Sequence, residues 1–152
     1  MTTDSAIADD PFDLARFVDA QATDFARALA ELRAGAKQSH WMWYVFPQFA
    51  GLGPSSKSRT YAIRSQAEAI AYLNHPLLGP RLRACAEALL SHHARSAHEL
   101  LGSPDDMKLQ SSATLFDFVA PDDVFAGLLE RFYGGARDAK SVRLVREAKG
   151  PA

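Results

Sequence analysis

The stretch DPFDLARFVDAQATDFARALAELRAG, Asp10 to Gly35, decides the fold class. Asp10 is an acidic N-cap. Pro11 suits the first helical position, where an N–H has no intrahelical partner. Leu14, Val18, Phe25, Leu29 and Leu32 then recur at helical spacing, and Gly35 is a natural C-terminal stop. A capped helix with one apolar stripe must pack that stripe across other elements. The chain that follows supplies more helices. Ser65 with Glu68 reads as a capping box opening a short helix through Tyr72, ended by Asn74-His75-Pro76. Leu82 to Ser91 reads as a helix with Leu82, Ala86 and Leu89 on one side. Ser96 with Glu99 is a second capping box, and Gly102 closes that helix. Ser103-Pro104 starts a helix running to Val119. Pro121 starts the next, with Val124, Leu128 and Phe132, and Phe125 and Leu129, at four-residue spacing, and Gly134-Gly135 ends it. Asp138 caps a final helix through Ala148. No segment sustains strand alternation, although short strands near 42–46 or 59–63 fit the pattern. The expectation is a mainly α, single compact multi-helix domain over residues 10–152, with a short strand or two at most, behind a disordered tail at 1–9.

Bulk properties narrow the function. A chain of 152 residues, 47% apolar and 23% charged, is a globular domain able to bury a core. A net charge of −1 gives no global basic field, so bulk nucleic acid is not the expected partner, while a small nucleotide is. Cys85 is the sole cysteine, which excludes an internal disulfide and a cysteine metal cage. It lies among alanines on a helix, as a small core residue would. His92, His93 and His98 lack the spacing of a helical zinc pair and read as surface residues, so no metal and no cofactor are expected. The N-terminus is acidic and without an apolar h-region, and no apolar run reaches membrane-spanning length. A cytoplasmic protein without membrane contact is the expectation, its oligomeric state open.

Two segments carry candidate chemistry. The first, HWMWYVFPQFAGLGPSS from His40 to Ser56, holds both tryptophans, Trp41 and Trp43, with Tyr44, Phe46 and Phe49. Pro47 pushes Phe46 out of helical geometry, and residues 51–56 form a loop. Such a run serves equally as a core wedge or as a pocket for a planar, hydroxylated ligand. His40, Trp43 and Gln48 carry polar groups that burial would leave in need of a partner, which moves them toward a pocket. Gly51, Gly53 and Ser55, with Lys57 nearby, can hold a phosphate or ribose, although a plain tight turn explains them too. No Walker loop, dinucleotide fingerprint or acyl-hydrolase elbow is present. The second segment, SPDDMKLQSSATLF from Ser103 to Phe116, places Asp105, Lys108, Ser111 and Ser112 on one helix face. Dipole-matched acids at a first turn account for Asp105 and Asp106, but less well for the lysine and serines.

Several blocks together resemble a known family. GAKQSHWMWYVFPQ (35–48), Gly51-Leu-Gly53, Ser55, Tyr61-Ala-Ile63, Glu68-Ala69, His75-Pro76 and Pro104-Asp105-Asp106 through Phe116 carry the likeness, over roughly residues 12–148. They resemble an uncharacterised bacterial family, domain of unknown function 1810, whose members are often mislabelled calpastatin. That inhibitor is an extended, disordered chain, unlike this composition. The family is distantly similar to the YbiA-like, or NADAR, superfamily of mainly α proteins. Its characterised members are N-glycosidases that cleave a bond between a ribose carbon and a base nitrogen. Some act on ribosylated pyrimidines of riboflavin synthesis, others on ADP-ribosyl groups on guanine. Those enzymes carry a glutamate–histidine pair on an early helix and a late tryptophan–glycine motif. Here His40 has no adjacent glutamate and no tryptophan follows Trp43, so catalytic positions do not transfer residue by residue.

What the resemblance implies is an N-glycosidase acting on a nucleotide or riboside. His40 would donate a proton to the departing base, and Asp105 or Asp106, with Glu68 as runner-up, would face the ribosyl cation. Trp41 or Trp43 would stack the base, with Lys37, Lys108, Ser111, Ser112, Gln48 and the Gly51–Ser55 turn around ribose and phosphate. The alternative is a non-catalytic ligand-binding or protein-interaction module using the same residues. The discriminating expectation is that the His40–Gln48 run and the Asp105–Ser112 face line one pocket.

Overall fold

Asp10 caps the first helix from one turn further out than its spacing suggests. Its carboxylate accepts from the amides of Leu14 (2.8 Å) and Ala15 (3.0 Å), while Asp13 takes a left-handed φ of 52°. A turn therefore intervenes, and α1 runs Ala15–Ala34. Gly35 ends it at φ 80°, a region that favours glycine. The buried face is Phe17, Gln21, Ala28 and Leu32, while Val18, Phe25 and Leu29 sit half-buried at its edge. Gln21 can lie inside because its amide donates to the Tyr44 carbonyl (2.6 Å) and the Tyr72 hydroxyl (3.1 Å).

The computed structural model describes residues 10–148; the expected tail at 1–9 lies outside them. Among the described residues, α1 is followed by α2 (Met42–Val45), α3 (Ser56–Thr60), α4 (Gln66–Asn74) and α5 (Leu78–Leu90). Then come α6 (Ala97–Leu101), α7 (Asp105–Val119), α8 (Val124–Tyr133) and α9 (Ala139–Glu147). The architecture is mainly α, built around one hydrophobic core. Helix α7 packs on α4, α6, α8 and α9, and α5 packs on α1, α4 and α8. A file of rings ties four helices together. Phe17 meets Tyr72 edge-on at 5.0 Å, Tyr72 meets Phe116 at 5.4 Å, and Phe116 meets Phe125 at 5.5 Å. Cys85 is fully buried, and desolvation pushes its thiol up to about 12, which makes it inert packing.

Local signals located most helix ends. Ser96 and Glu99 form both arms of a capping box, Gly134 ends α8 at φ 62°, and Asp138 caps α9 through the Ser141 amide (2.9 Å). Other expectations are corrected. Residues 42–45 make one helical turn, not a strand, and Phe46 leaves helical geometry before Pro47 with φ −123° and ψ 75°. Residues 59–63 finish α3 and contribute only a parallel bridge between Ile63 and Phe49. Ser56 already belongs to α3. Helix α5 begins at Leu78, ahead of Leu82, because Pro80 falls in a first turn where no amide is required. Helix α8 begins not at Pro121 but after Asp123, whose carboxylate accepts from the Val124 amide (2.7 Å). The Arg83 guanidinium, bonded to Asp123, holds that carboxyl below its usual range. No helix among the described residues is long and apolar enough to cross a membrane.

Candidate functional site

The aromatic segment is hung from α1 by one carboxylate. Glu31 accepts from the amides of Gln38 (2.9 Å) and Ser39 (3.0 Å), the Ser39 hydroxyl (2.6 Å) and the Trp41 indole N–H (2.9 Å). These bonds draw Trp41 fully into the core. Two residues on, along the turn of α2, Trp43 points to the other side and stays half-buried. From across the gap comes the first turn of α7. Asp105 meets the Lys37 ammonium at 2.8 Å and the Lys108 ammonium at 3.5 Å. Lys37 also donates to the Ser39 carbonyl (2.7 Å). The Lys57 and Lys108 ammoniums lie 4.9 and 5.0 Å from the centre of the Trp43 ring.

Two recesses adjoin at Lys108 and Pro104. One, of about 360 Å³, is lined by Lys37, His40, Met42, Trp43, Asp105 and Lys108. The other, of about 310 Å³, is lined by Gln48, Leu52, Gly53, Met107, Ser111 and Lys140, with Lys108 again on its wall. The two segments thus do not line one pocket: His40, Trp43 and Asp105 line one recess, Gln48 and Ser111 the other, and the pair, sharing Pro104 and Lys108, is called the Trp43 groove below. Both recesses are open grooves rather than closed cavities, as the exposure of His40, Pro104 and Met107 on their walls indicates.

Six candidates fall elsewhere. Trp41 is buried with its indole N–H already bonded, so it cannot stack a ligand. Asp106 lines neither recess: its carboxylate faces His98 at 3.5 Å and its carbonyl accepts from the Tyr133 hydroxyl. Glu68 is buried and committed to the Arg16 guanidinium (2.7 Å) and the Arg64 amide (2.9 Å), so only one arm of the expected capping box forms there. Ser55 is the N-cap of α3, its hydroxyl accepting from the Ser58 amide (3.1 Å). Ser112 is buried, lines neither recess, and its hydroxyl has no partner. Gly51 lies on the far side of its loop. Gly53 holds its place by size: a Cβ there would fall 2.4 Å from that of Ser58. Met107, exposed at the groove's rim, and Lys140 were missed. Lys140 follows the Asp138 cap, and nothing local marks a residue of α9 as facing residues 48–54.

The family model for DUF1810, a protein of unknown function, matches residues 11–145. The chain belongs to this family. A similar solved structure is that of the conserved hypothetical protein Rv1873 from Mycobacterium tuberculosis. It is 49% identical, with a TM-score of 0.88, and the match covers 90% of this chain and 99% of that one. No curated protein matches. Every groove residue named above falls within the span matched to DUF1810.

The Glu31 anchor gives the site a pH dependence. Burial pushes this carboxyl up, but the bonds from Ser39, Gln38 and Trp41 outweigh it and bring it from 4.5 to about 2. A depressed carboxyl contributes stability in full above 4.5, and that contribution is lost as pH falls from 4.5 toward 2. Glu31→Ala orphans four donors and is expected to cost about 2 kcal/mol at neutral pH. In urea melts, Glu31→Gln should flatten the acid limb below pH 4.5. A variant whose acid limb matches the wild type's would refute this role.

Proposed function

We propose that the Trp43 groove binds a nucleotide-like, ribose-containing small molecule rather than bulk nucleic acid. The observation that carries this is the Trp43 ring, half-buried in the wall of the recess that holds His40 and Asp105, with the Lys57 and Lys108 ammoniums beside it. An indole face takes a base of any identity, and ammonium groups answer phosphate. Lys37 and Lys108 are already partnered by Asp105. Lys57 and Lys140 make no ion pair among the described residues, so they are the charges free to meet an anion. The Gln48 amide and Ser111 hydroxyl supply donors and acceptors for ribose hydroxyls.

N-glycosidase turnover is the activity that a distant likeness to the NADAR superfamily would bring, and the shared recess of His40, Trp43 and Asp105 supports it. In that reaction the C1′–N bond breaks and its electron pair goes to the base nitrogen. His40 gives that nitrogen a proton, Asp105 faces the ribosyl cation, and water adds its oxygen to C1′ while its proton returns to His40. The role first divided between Asp105 and Asp106 goes to Asp105 alone, with Lys37 and Lys108 fixing its carboxylate.

The test is calorimetric titration with AMP and other ribosides, followed by chromatography for released base. Trp43→Ala is expected to weaken binding about tenfold or more. If base is released, Asp105→Asn and His40→Ala should each lower kcat, and Asp106→Asn should leave it unchanged. Binding without release would leave a ligand-binding module. Failure of every ribose-containing compound at millimolar concentration would sink the proposal.

A further inference from the structure

The Gly51–Pro54 loop has two sides, and only one faces the Trp43 groove. The other borders a recess of about 330 Å³ lined by Gly51, Gly53, Ser58, Arg59, Ala62 and Arg64. We propose that this recess is a second anion site, one that takes a phosphoryl group between the guanidiniums of Arg59 and Arg64.

The charge there is uncompensated. Neither Arg59 nor Arg64 has a carboxylate partner among the described residues. Glu68, the acid bonded to the Arg64 amide, is 2% exposed and faces Arg16 at 2.7 Å, so its charge is neutralised inside the fold. The two guanidiniums are also positioned rather than free. Arg59 donates to the Pro54 carbonyl, and Arg64 donates to the Arg59 carbonyl (3.3 Å). A guanidinium has five donors, so each keeps several for a tetrahedral anion, and arginine's planar fork suits phosphate oxygens. The rest of the wall is small, with Gly51, Gly53, Ser58 and Ala62 beside the two arginines.

Gly53 lines this recess and the Trp43 groove alike. The phosphoryl group has two sources of the same chemistry: the far end of a groove ligand's phosphate chain, or a free phosphate compound. The recess itself does not depend on the groove being occupied.

The experiment is calorimetry with inorganic pyrophosphate at low salt, on wild type, Arg59→Gln/Arg64→Gln and, as a control for lost net charge, Arg143→Gln/Arg146→Gln, an exposed pair on α9. Wild type is expected to bind below about 1 mM. The Arg59→Gln/Arg64→Gln variant should lose at least about tenfold, and the α9 control should bind as wild type does. Arg59 and Arg64 are exposed, so melting temperature should be unchanged. Arg59→Lys/Arg64→Lys, which keeps the charge without the fork, should fall between the two. Absence of pyrophosphate binding at millimolar concentration, or equal binding by Arg59→Gln/Arg64→Gln, overturns the site. AMP and ATP then separate the sources. If the groove ligand reaches across, ATP's advantage over AMP disappears in Arg59→Gln/Arg64→Gln. If the anion is free, that advantage persists and AMP and pyrophosphate bind together. Should AMP not bind at all, the groove reading fails while the pyrophosphate titration still decides the recess.

Discussion

Gly79→Ala is expected to destabilise the protein by about 3 kcal/mol or more, far beyond the ordinary helical preference of glycine and alanine. On helix propensity alone the change should stabilise, since alanine is the better helix former by about 1 kcal/mol. Packing reverses that sign. After His75-Pro76 the chain turns back on the end of α4, and Gly79, in the first turn of α5, lies directly against it. A Cβ at Gly79 would sit 2.1 Å from the Leu73 carbonyl oxygen and 2.9 Å from its carbon. Those atoms are backbone, so no rotamer change relieves the contact. The same carbonyl accepts from Arg83 (3.3 Å), whose guanidinium also holds the Asp123 cap of α8. Moving Leu73 would therefore disturb α4, α5 and α8 together. Urea denaturation of Gly79→Ala checks this; a midpoint at or above the wild type's would show that the α4–α5 corner yields easily.

What could be read from the chain alone follows from how local each cause is. Gly35, Gly134, Asp138 and the Ser96–Glu99 box act within one turn of themselves, and they appear where their spacing puts them. The stripe Leu14, Val18, Phe25, Leu29 and Leu32 packs on the core, and what it does not show is Gln21, which goes inside on bonds to Tyr44 and Tyr72, residues whose positions no local pattern gives. The aromatic run formed a helical turn instead of a strand for the same kind of reason: Glu31, on another element, fixes Ser39 and Trp41. At the site, the meeting of residues 40–48 with 105–111 was legible as two unexplained polar faces. Which member of each pair faces the recesses was not. Adjacent residues on a helix point about 100° apart. That rotation sends Asp105 to Lys37 and Asp106 to His98. Trp41, just ahead of α2, goes to the core, and Trp43, two residues on, goes to the groove.

Arg16→Met is expected to cost about 3–5 kcal/mol, because it strands a buried charge. The stranded charge is that of Glu68. It is 2% exposed, and Arg16 contacts it at 2.7 Å. The same guanidinium donates to the carbonyls of Phe12 (2.6 Å), Asp13 (2.8 Å), Thr60 (2.8 Å) and Ala62 (2.7 Å). Arg16 thus ties the turn before α1 to residues 60–62, the segment behind the Arg59–Arg64 recess. Methionine keeps most of the side chain's apolar length, so the loss isolates the charge and its bonds rather than volume. Glu68→Gln alone leaves Arg16 its carbonyl partners and should cost less. The double variant Arg16→Met/Glu68→Gln removes the stranded charge and should recover part of the single variant's loss, a non-additivity of about 1 kcal/mol or more. It should not recover all of it, since four carbonyls stay without their donor. The measurement is a double-mutant cycle in urea at neutral pH. Strict additivity would mean that Glu68 is hydrated once Arg16 is gone, and that the pair positions the segment without holding the fold.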